Sequence, residues 1–272
     1  MSQASSSPKA KVDWLSTMAI AALSVSLTVA FHEGIHALSC IIVGSDLQEY
    51  GALHVDCASS TITQSKIVAG SASLANLVLG TICLIILRRS SQQNSAWQFF
   101  LWLFMLMNWL NGTGYWMFSG IANIGDWAKV IEGWTPHWVW RVLMTILGTG
   151  TFMGCVWVAL RVLGTIIGGS KDEQIRRAVK LGALSYIASI LVILGAGLLH
   201  PYGPTSLPVI AGLIAVCGSQ SPLLWMMQWF RAKSFIKLSG PSLEIHRSWS
   251  WVMSSVIVTS IYIFILGRTI YF

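Results

Sequence analysis

Charge is what this 272-residue chain has least of: Asp, Glu, Lys and Arg together make up 10% of it, against roughly a quarter in soluble domains. With 54% hydrophobic residues and a mean hydropathy of +0.67, that scarcity excludes a water-soluble globular body. The five cysteines, Cys40, Cys57, Cys83, Cys155 and Cys217, are scattered without paired spacing, which excludes a thiolate metal site and predicts no disulfide framework. Alternation over strand-length segments is missing too, so a membrane barrel is excluded. No solenoid-type repeat is present, and no polar stretch is long enough to form a separate soluble domain.

The chain reads instead as an all-α, polytopic membrane helical bundle. Apolar runs long enough for a hydrocarbon core of ~30 Å, which takes about 20 helical residues, lie near residues 14–43, 67–87, 96–119, 138–167, 179–199, 207–229 and 249–266. They predict seven spans. The first is longer than a bilayer requires and should tilt or project, and Gly218-Ser219-Gln220-Ser221-Pro222 should kink or break the sixth. Residues 1–13 read as a disordered, Ser-rich cytoplasmic tail without a cleavable signal. Residues 14–135 read as a metal-binding catalytic core and residues 136–272 as C-terminal transmembrane helices.

Cytoplasmic loops carry the excess of Lys and Arg. With the N-terminus inside, Lys9, Lys11, Arg88, Arg89, Arg176 and Arg177 are among the many that share one side, and the other keeps only Lys66, Lys129, Arg141 and Arg268. This predicts a multi-pass protein of the cell membrane, N-terminus cytoplasmic and C-terminus outside. The net charge of +7 is then mostly topological bias and gives no reason to invoke nucleic acid. Trp residues near the predicted span ends, such as Trp97, Trp134 and Trp138, suit the headgroup zone, and Gly148, Gly150, Gly154 and Gly164 suit close helix packing.

Against this apolar background stands Ala-Phe-His-Glu-Gly-Ile-His, residues 30–36. On a helix His32 and His36 share a face and can grip one cation, with Glu33 projecting beside it. In zinc hydrolases two such imidazoles hold Zn²⁺ while the carboxylate, not itself a ligand, takes a proton from the zinc-bound water. The bland alternative is a pair of core histidines with Glu33 as a buried partner. Placing a carboxylate in hydrocarbon costs at least ~2.5 kcal/mol, so the functional reading is favoured. A di-iron carboxylate site needs a second Glu-x-x-His, and haem needs axial ligands from opposite faces; neither requirement is met.

A catalytic zinc keeps three protein ligands. Asp126, in Asn-Ile-Gly-Asp-Trp just after the third span, comes to the same membrane side as the metal helix, and Gly125 permits a bend there. His54, Asp56 and His137 compete with it for the third position.

Three segments resemble the site-2 protease family of intramembrane zinc metalloproteases, especially its compact bacterial members. "FHEGIHALSCIIVG" is similar to the family's metal helix; "AGSASLANLVLG", residues 69–80, to its Gly-Pro-x-x-Asn helix, with Ser73 in place of the proline; and "NIGDW", residues 123–127, to a Gly-Asp ligand segment. The resemblance implies one Zn²⁺ held by His32, His36 and Asp126, Glu33 as general base, and Asn76 with Asn108 or Asn111 near the metal as oxyanion donors. It also implies hydrolysis of peptide bonds in or next to the membrane, in a membrane protein or peptide substrate surrounded by the lipid bilayer. Two other readings use the same residues: a zinc hydrolase of a lipid amide or ester, and a non-catalytic cation or proton carrier. Glycines 112, 114, 120 and 125 predict an irregular outer end of the third span, with a polar cavity opening there. The sequence says nothing about oligomeric state.

Overall fold

The computed structural model describes residues 12–90, 95–229, 231, 235 and 242–272. The expected tail, apart from Val12 and Asp13, lies outside the described residues.

Helix α1 (Trp14–Ile42) starts at Asp13, whose Oδ1 accepts from the Ser16 N–H at 2.8 Å, and ends at Gly44, φ +73°. The chain then forms an antiparallel hairpin, β1 (Asp46–Tyr50) and β2 (Val55–Ala58), with Asp46 opposite Ala58 and Tyr50 opposite Val55. The C-terminal strand β3 (Ile270–Tyr271) pairs with the other edge of β1, giving the order β2-β1-β3. The structure is mostly helical, as expected, with this small sheet added to the all-α bundle. Strands of five, four and two residues offer too few alternations for a period of two to stand out.

The hairpin also overturns the expected absence of disulfides. It folds β2 over the last turn of α1, and Cys40 and Cys57 are bonded with their Cα atoms 6.0 Å apart. A sequence separation of 17 does not reveal that fold-back.

Helix α2 (Ile62–Arg89) begins in a capping box in which Thr61 and Gln64 satisfy each other's backbone N–H. Helix α3 (Ala96–Ala122) is the centre of the bundle, packed against α1, α2 and α5 (His137–Ile166). Phe99, Trp102, Leu103, Met105, Leu106 and Leu110 are fully enclosed, and Trp102 donates its indole N–H to the Ala159 carbonyl at 2.9 Å. The expected irregularity in α3 is absent, because its glycines permit close packing instead. A Cβ at Gly112 would stand 2.7 Å from the Ser73 carbonyl, and one at Gly148 of α5 would stand 2.4 Å from the Met117 nitrogen. Gly150 and Gly154, expected to act alike, face open space.

The short α4 (Asp126–Val130) follows α3; after α5 come α6 (Lys171–Leu198), α7 (Leu207–Ser219), α8 (Pro222–Trp229) and α9 (Trp249–Phe264). The sixth predicted run breaks between Ser219 and Pro222, as its Gly-Ser-Gln-Ser-Pro string requires. Among the described residues, six helices are long and apolar enough to cross a membrane, counting α7 and α8 as one. Helix α3 is as long but falls outside that set, since it carries Trp, Gln and Asn side chains that the bundle encloses.

Candidate metal centre

His32 and His36 lie one turn apart on α1, about 15 Å and 9 Å from its Ile42 end at 1.5 Å per residue. Both are buried, as is Glu33 between them. Their Nδ1 atoms are already committed. His36 Nδ1 is 2.8 Å from the Val68 carbonyl, which can only accept, so this nitrogen carries the proton.

For His32 the same conclusion follows through two amides. Asn108 Nδ2 donates to the Phe104 carbonyl at 2.8 Å and to Thr28 Oγ1 at 3.2 Å, which turns its Oδ1 toward Asn76. Asn76 Nδ2 donates to that oxygen at 2.7 Å, leaving Asn76 Oδ1 to accept from His32 Nδ1 at 2.7 Å. In the neutral imidazoles, which are the metal-binding form, both Nε2 atoms then present unprotonated lone pairs. Outer partners of this kind fix the tautomer and orientation of a metal-binding histidine.

Asp126 reaches the pair through a reversal of the chain. Asn123 ends α3 in the left-handed conformation, φ 57°, with its N–H on the Ser119 carbonyl, and Gly125 follows at φ +85°. A side chain at Gly125 would be strained. Trp127 then donates its indole N–H to Ser73 Oγ at 2.6 Å, and Val130 packs where a Cβ on Gly70 would be, so α4 is pinned to α2. Ser73 is thus the anchor beside the carboxylate.

The three donor atoms make a nearly equilateral triangle. His32 Nε2 and His36 Nε2 are 3.2 Å apart, and Asp126 Oδ2 lies 3.2 Å from the first and 3.3 Å from the second. A tetrahedral ion with bonds of about 2.0–2.1 Å separates its ligand atoms by about 3.3–3.4 Å. With both Nε2 atoms unprotonated, nothing in the triangle donates to Asp126 Oδ2, which is buried without a hydrogen-bond partner. Three electron-rich atoms at this spacing repel one another unless a cation sits among them. His32, His36 and Asp126 are the single such group of His, Cys, Asp and Glu among the described residues.

Above the triangle opens a cavity of about 330 Å³, lined among others by Glu33, His36, His54, Tyr115, Asp126 and Ala215. Its outer wall is the hairpin, with Val55, Asp56 and Cys57 of β2. Glu33 has His32, His36, Asp126 and His54 as titratable neighbours and accepts no hydrogen bond from them. The side chain is free to face the cavity.

The other candidates are placed elsewhere. His137 sits at the start of α5 against Asn123 Oδ1, 2.9 Å away, and Asp56 lies on the cavity wall outside the triangle. Asn111 is buried with both amide atoms unpartnered and does not line the cavity. Asn76 and Asn108, expected as oxyanion donors, likewise lie off the cavity and hold His32 instead.

His54 belongs to a polar chain that the sequence did not reveal. Its Nε2 is 2.8 Å from Glu49 Oε2 and its Nδ1 is 3.0 Å from His200 Nε2. Tyr202 donates its hydroxyl to Glu49 and its backbone N–H to His200 Nδ1. The His54 and Tyr202 hydrogen bonds hold the Glu49 carboxyl below the usual range, and the Glu49 contact pushes the Tyr202 phenol up to about 12. Burial lowers His200. The group ties the hairpin to the α6–α7 connection.

Neither a protein-family model, nor a curated protein, nor a solved structure matches this chain.

Proposed function

We propose that the chain is an intramembrane zinc metalloendopeptidase, as its resemblance to site-2 proteases implies. The observation that carries the reading is the triangle: two imidazoles with fixed tautomers and a carboxylate converge at tetrahedral spacing beside an uncommitted glutamate. His32, His36 and Asp126 hold the ion, which when bound supplies Lewis acidity and brings the pKa of a water toward ~7.

Glu33 does the proton work. It accepts a proton as the water oxygen bonds to the scissile carbonyl carbon and the carbonyl π electrons move to oxygen. Glu33 then returns that proton to the amide nitrogen as the C–N bond breaks, leaving a carboxylic acid and an amine. A helical peptide hides its carbonyls in internal hydrogen bonds, so the substrate must be extended at the cut. β2 is an edge strand along the cavity whose free backbone groups suit an extended peptide better than a lipid.

The cavity lies on the non-cytoplasmic side of the cell membrane in this reading. The Lys and Arg count puts the Ile42 end of α1 there, and the Cys40–Cys57 disulfide at that end fits an oxidising compartment.

Elemental analysis of purified protein tests the reading. Wild type and Glu33→Gln should both carry stoichiometric zinc, and His36→Ala and Asp126→Ala should lose it. Peptide cleavage by Glu33→Gln should fall by at least ~10²-fold. Zinc-free wild type, or undiminished turnover in Glu33→Gln, overturns the proposal; zinc retention without cleavage, together with cation flux in vesicles, would support a carrier.

A further inference from the structure

A hydrolase of this kind needs a hydrogen-bond donor where the carbonyl oxygen becomes negative, and the side chains expected to supply it are spent. Both hydrogens of Asn108 Nδ2 are taken, by the Phe104 carbonyl and Thr28. Asn76 gives one to Asn108 and points its oxygen at His32. Neither residue reaches the cavity.

Among the side-chain donors that do reach it, most are engaged or distant. His54 has both ring nitrogens bound, to Glu49 and His200. Lys129 is paired with Glu132 at 2.7 Å. Ser59 follows β2 at the hairpin's outer end, and Ser65 lies in the opening turns of α2, outward of Val68.

Tyr115 is different. It lines the cavity with Glu33 and Asp126, and its ring stacks on His32 with centroids 4.8 Å apart and planes at 12°. The Asp126 and Glu33 carboxylates act on it electrostatically, and among the described residues no hydrogen bond engages its hydroxyl. Packing against a ligand fixes the ring at the reaction centre, while a cavity-facing O–H stays available. Helical spacing supports this placement: Asn108 and Tyr115 are seven residues, about two turns, apart on α3, so the residue that orients His32 from behind and the one that covers it share a face.

We infer that Tyr115 is a catalytic residue, its hydroxyl donating the hydrogen bond that stabilises the carbonyl oxygen as water adds to the peptide bond. The inference rests on the hydrolase reading. A neutral phenol is a strong donor that adds no charge to a site already holding two carboxylates.

The test compares wild type, Glu33→Gln and Tyr115→Phe in three measurements: zinc content, steady-state cleavage of a peptide substrate, and affinity for a phosphinic dipeptide whose tetrahedral anion mimics the adduct. Phenylalanine keeps the stack on His32, so Tyr115→Phe should retain full zinc and a KM within about threefold. Its kcat should drop roughly 10²- to 10³-fold, the loss seen when one oxyanion donor is removed, and phosphinic affinity should weaken in parallel. Wild-type kcat and phosphinic affinity in a zinc-loaded Tyr115→Phe would overturn the assignment while leaving the hydrolase intact. Loss of zinc in that variant would overturn it in favour of a packing role. If wild type itself neither holds zinc nor depends on Glu33, the hydrolase reading fails and Tyr115 falls with it.

Discussion

At the scale of single residues, a metal site depends on atoms one shell further out than the ligands. His32 is held in its tautomer by a chain running from the Phe104 carbonyl through Asn108 and Asn76. Replacing Asn76 with Leu removes the acceptor of the His32 Nδ1 proton and leaves Asn108 Oδ1 buried without its donor. Zinc affinity should fall about 10- to 100-fold, as for other partners of metal-binding histidines, and competition with a chelator would measure it; unchanged affinity would refute the relay. The pairing of His32 with His36 was legible because i, i+4 spacing is a local property of a helix. Asp126 was legible through its glycine and its membrane side. The actual work of Asn76 and Asn108, and the presence of Tyr115 over His32, were not, because each depends on which faces of α1, α2 and α3 meet.

At the scale of elements, the apolar helices could be read from length and hydropathy, but the hairpin that walls the cavity could not. The polar chain that braces it draws Glu49 from β1, His54 from the turn before β2, and His200 and Tyr202 from the segment after α6. In the sequence His54 and His200 were simply scattered histidines. The assembled chain gives the hairpin a pH response with a definite sign. Tyr202 N–H occupies His200 Nδ1, so His200 donates from Nε2 to His54, and His54 donates from Nε2 to Glu49. An added proton on the His200 ring must break one of these links.

His200 and Glu49 both bind their protons more weakly here than when unfolded, where the values are 6.5 and 4.5. Their stabilising contributions are therefore complete above those values and are lost as pH falls, the His200 share first, below about 6.5, and the Glu49 share below about 4.5. Protection of the β1 and β2 amides against hydrogen exchange, corrected for the intrinsic pH dependence of the exchange chemistry, should fall between pH 7 and pH 5, and His200→Gln, which cannot take up a proton, should flatten that slope. A pH-independent protection factor in wild type would refute the link. The α3–α5 contact is a second element-scale test. A methyl group at Gly148 meets the Met117 backbone, so Gly148→Ala should lower stability by about 1–3 kcal/mol, whereas Gly150→Ala, facing open space, should not.

At the scale of the whole molecule, the disulfide and the charge asymmetry are independent indicators of the same orientation. Cys40 closes the end of α1 that carries His32 and His36, and its partner Cys57 sits on the cavity wall. A closed loop of this length, 17 residues apart, should stabilise the fold by about 3 kcal/mol in the chain-entropy account, so Cys57→Ser should lower the unfolding midpoint and loosen the hairpin before the helices. The bond also offers a test of the proposed orientation, because the remaining cysteines, Cys83, Cys155 and Cys217, are free and lie within α2, α5 and α7. An impermeant maleimide applied to intact cells should leave the protein unlabelled, and after mild reduction with an impermeant phosphine it should label Cys40 and Cys57 alone. Labelling that requires permeabilised cells would place the metal end of α1 in the cytoplasm. The positive charges at Arg88, Arg89, Arg176 and Arg177 would then face outward against the usual bias, and the cavity would draw its substrates from the cytoplasmic side.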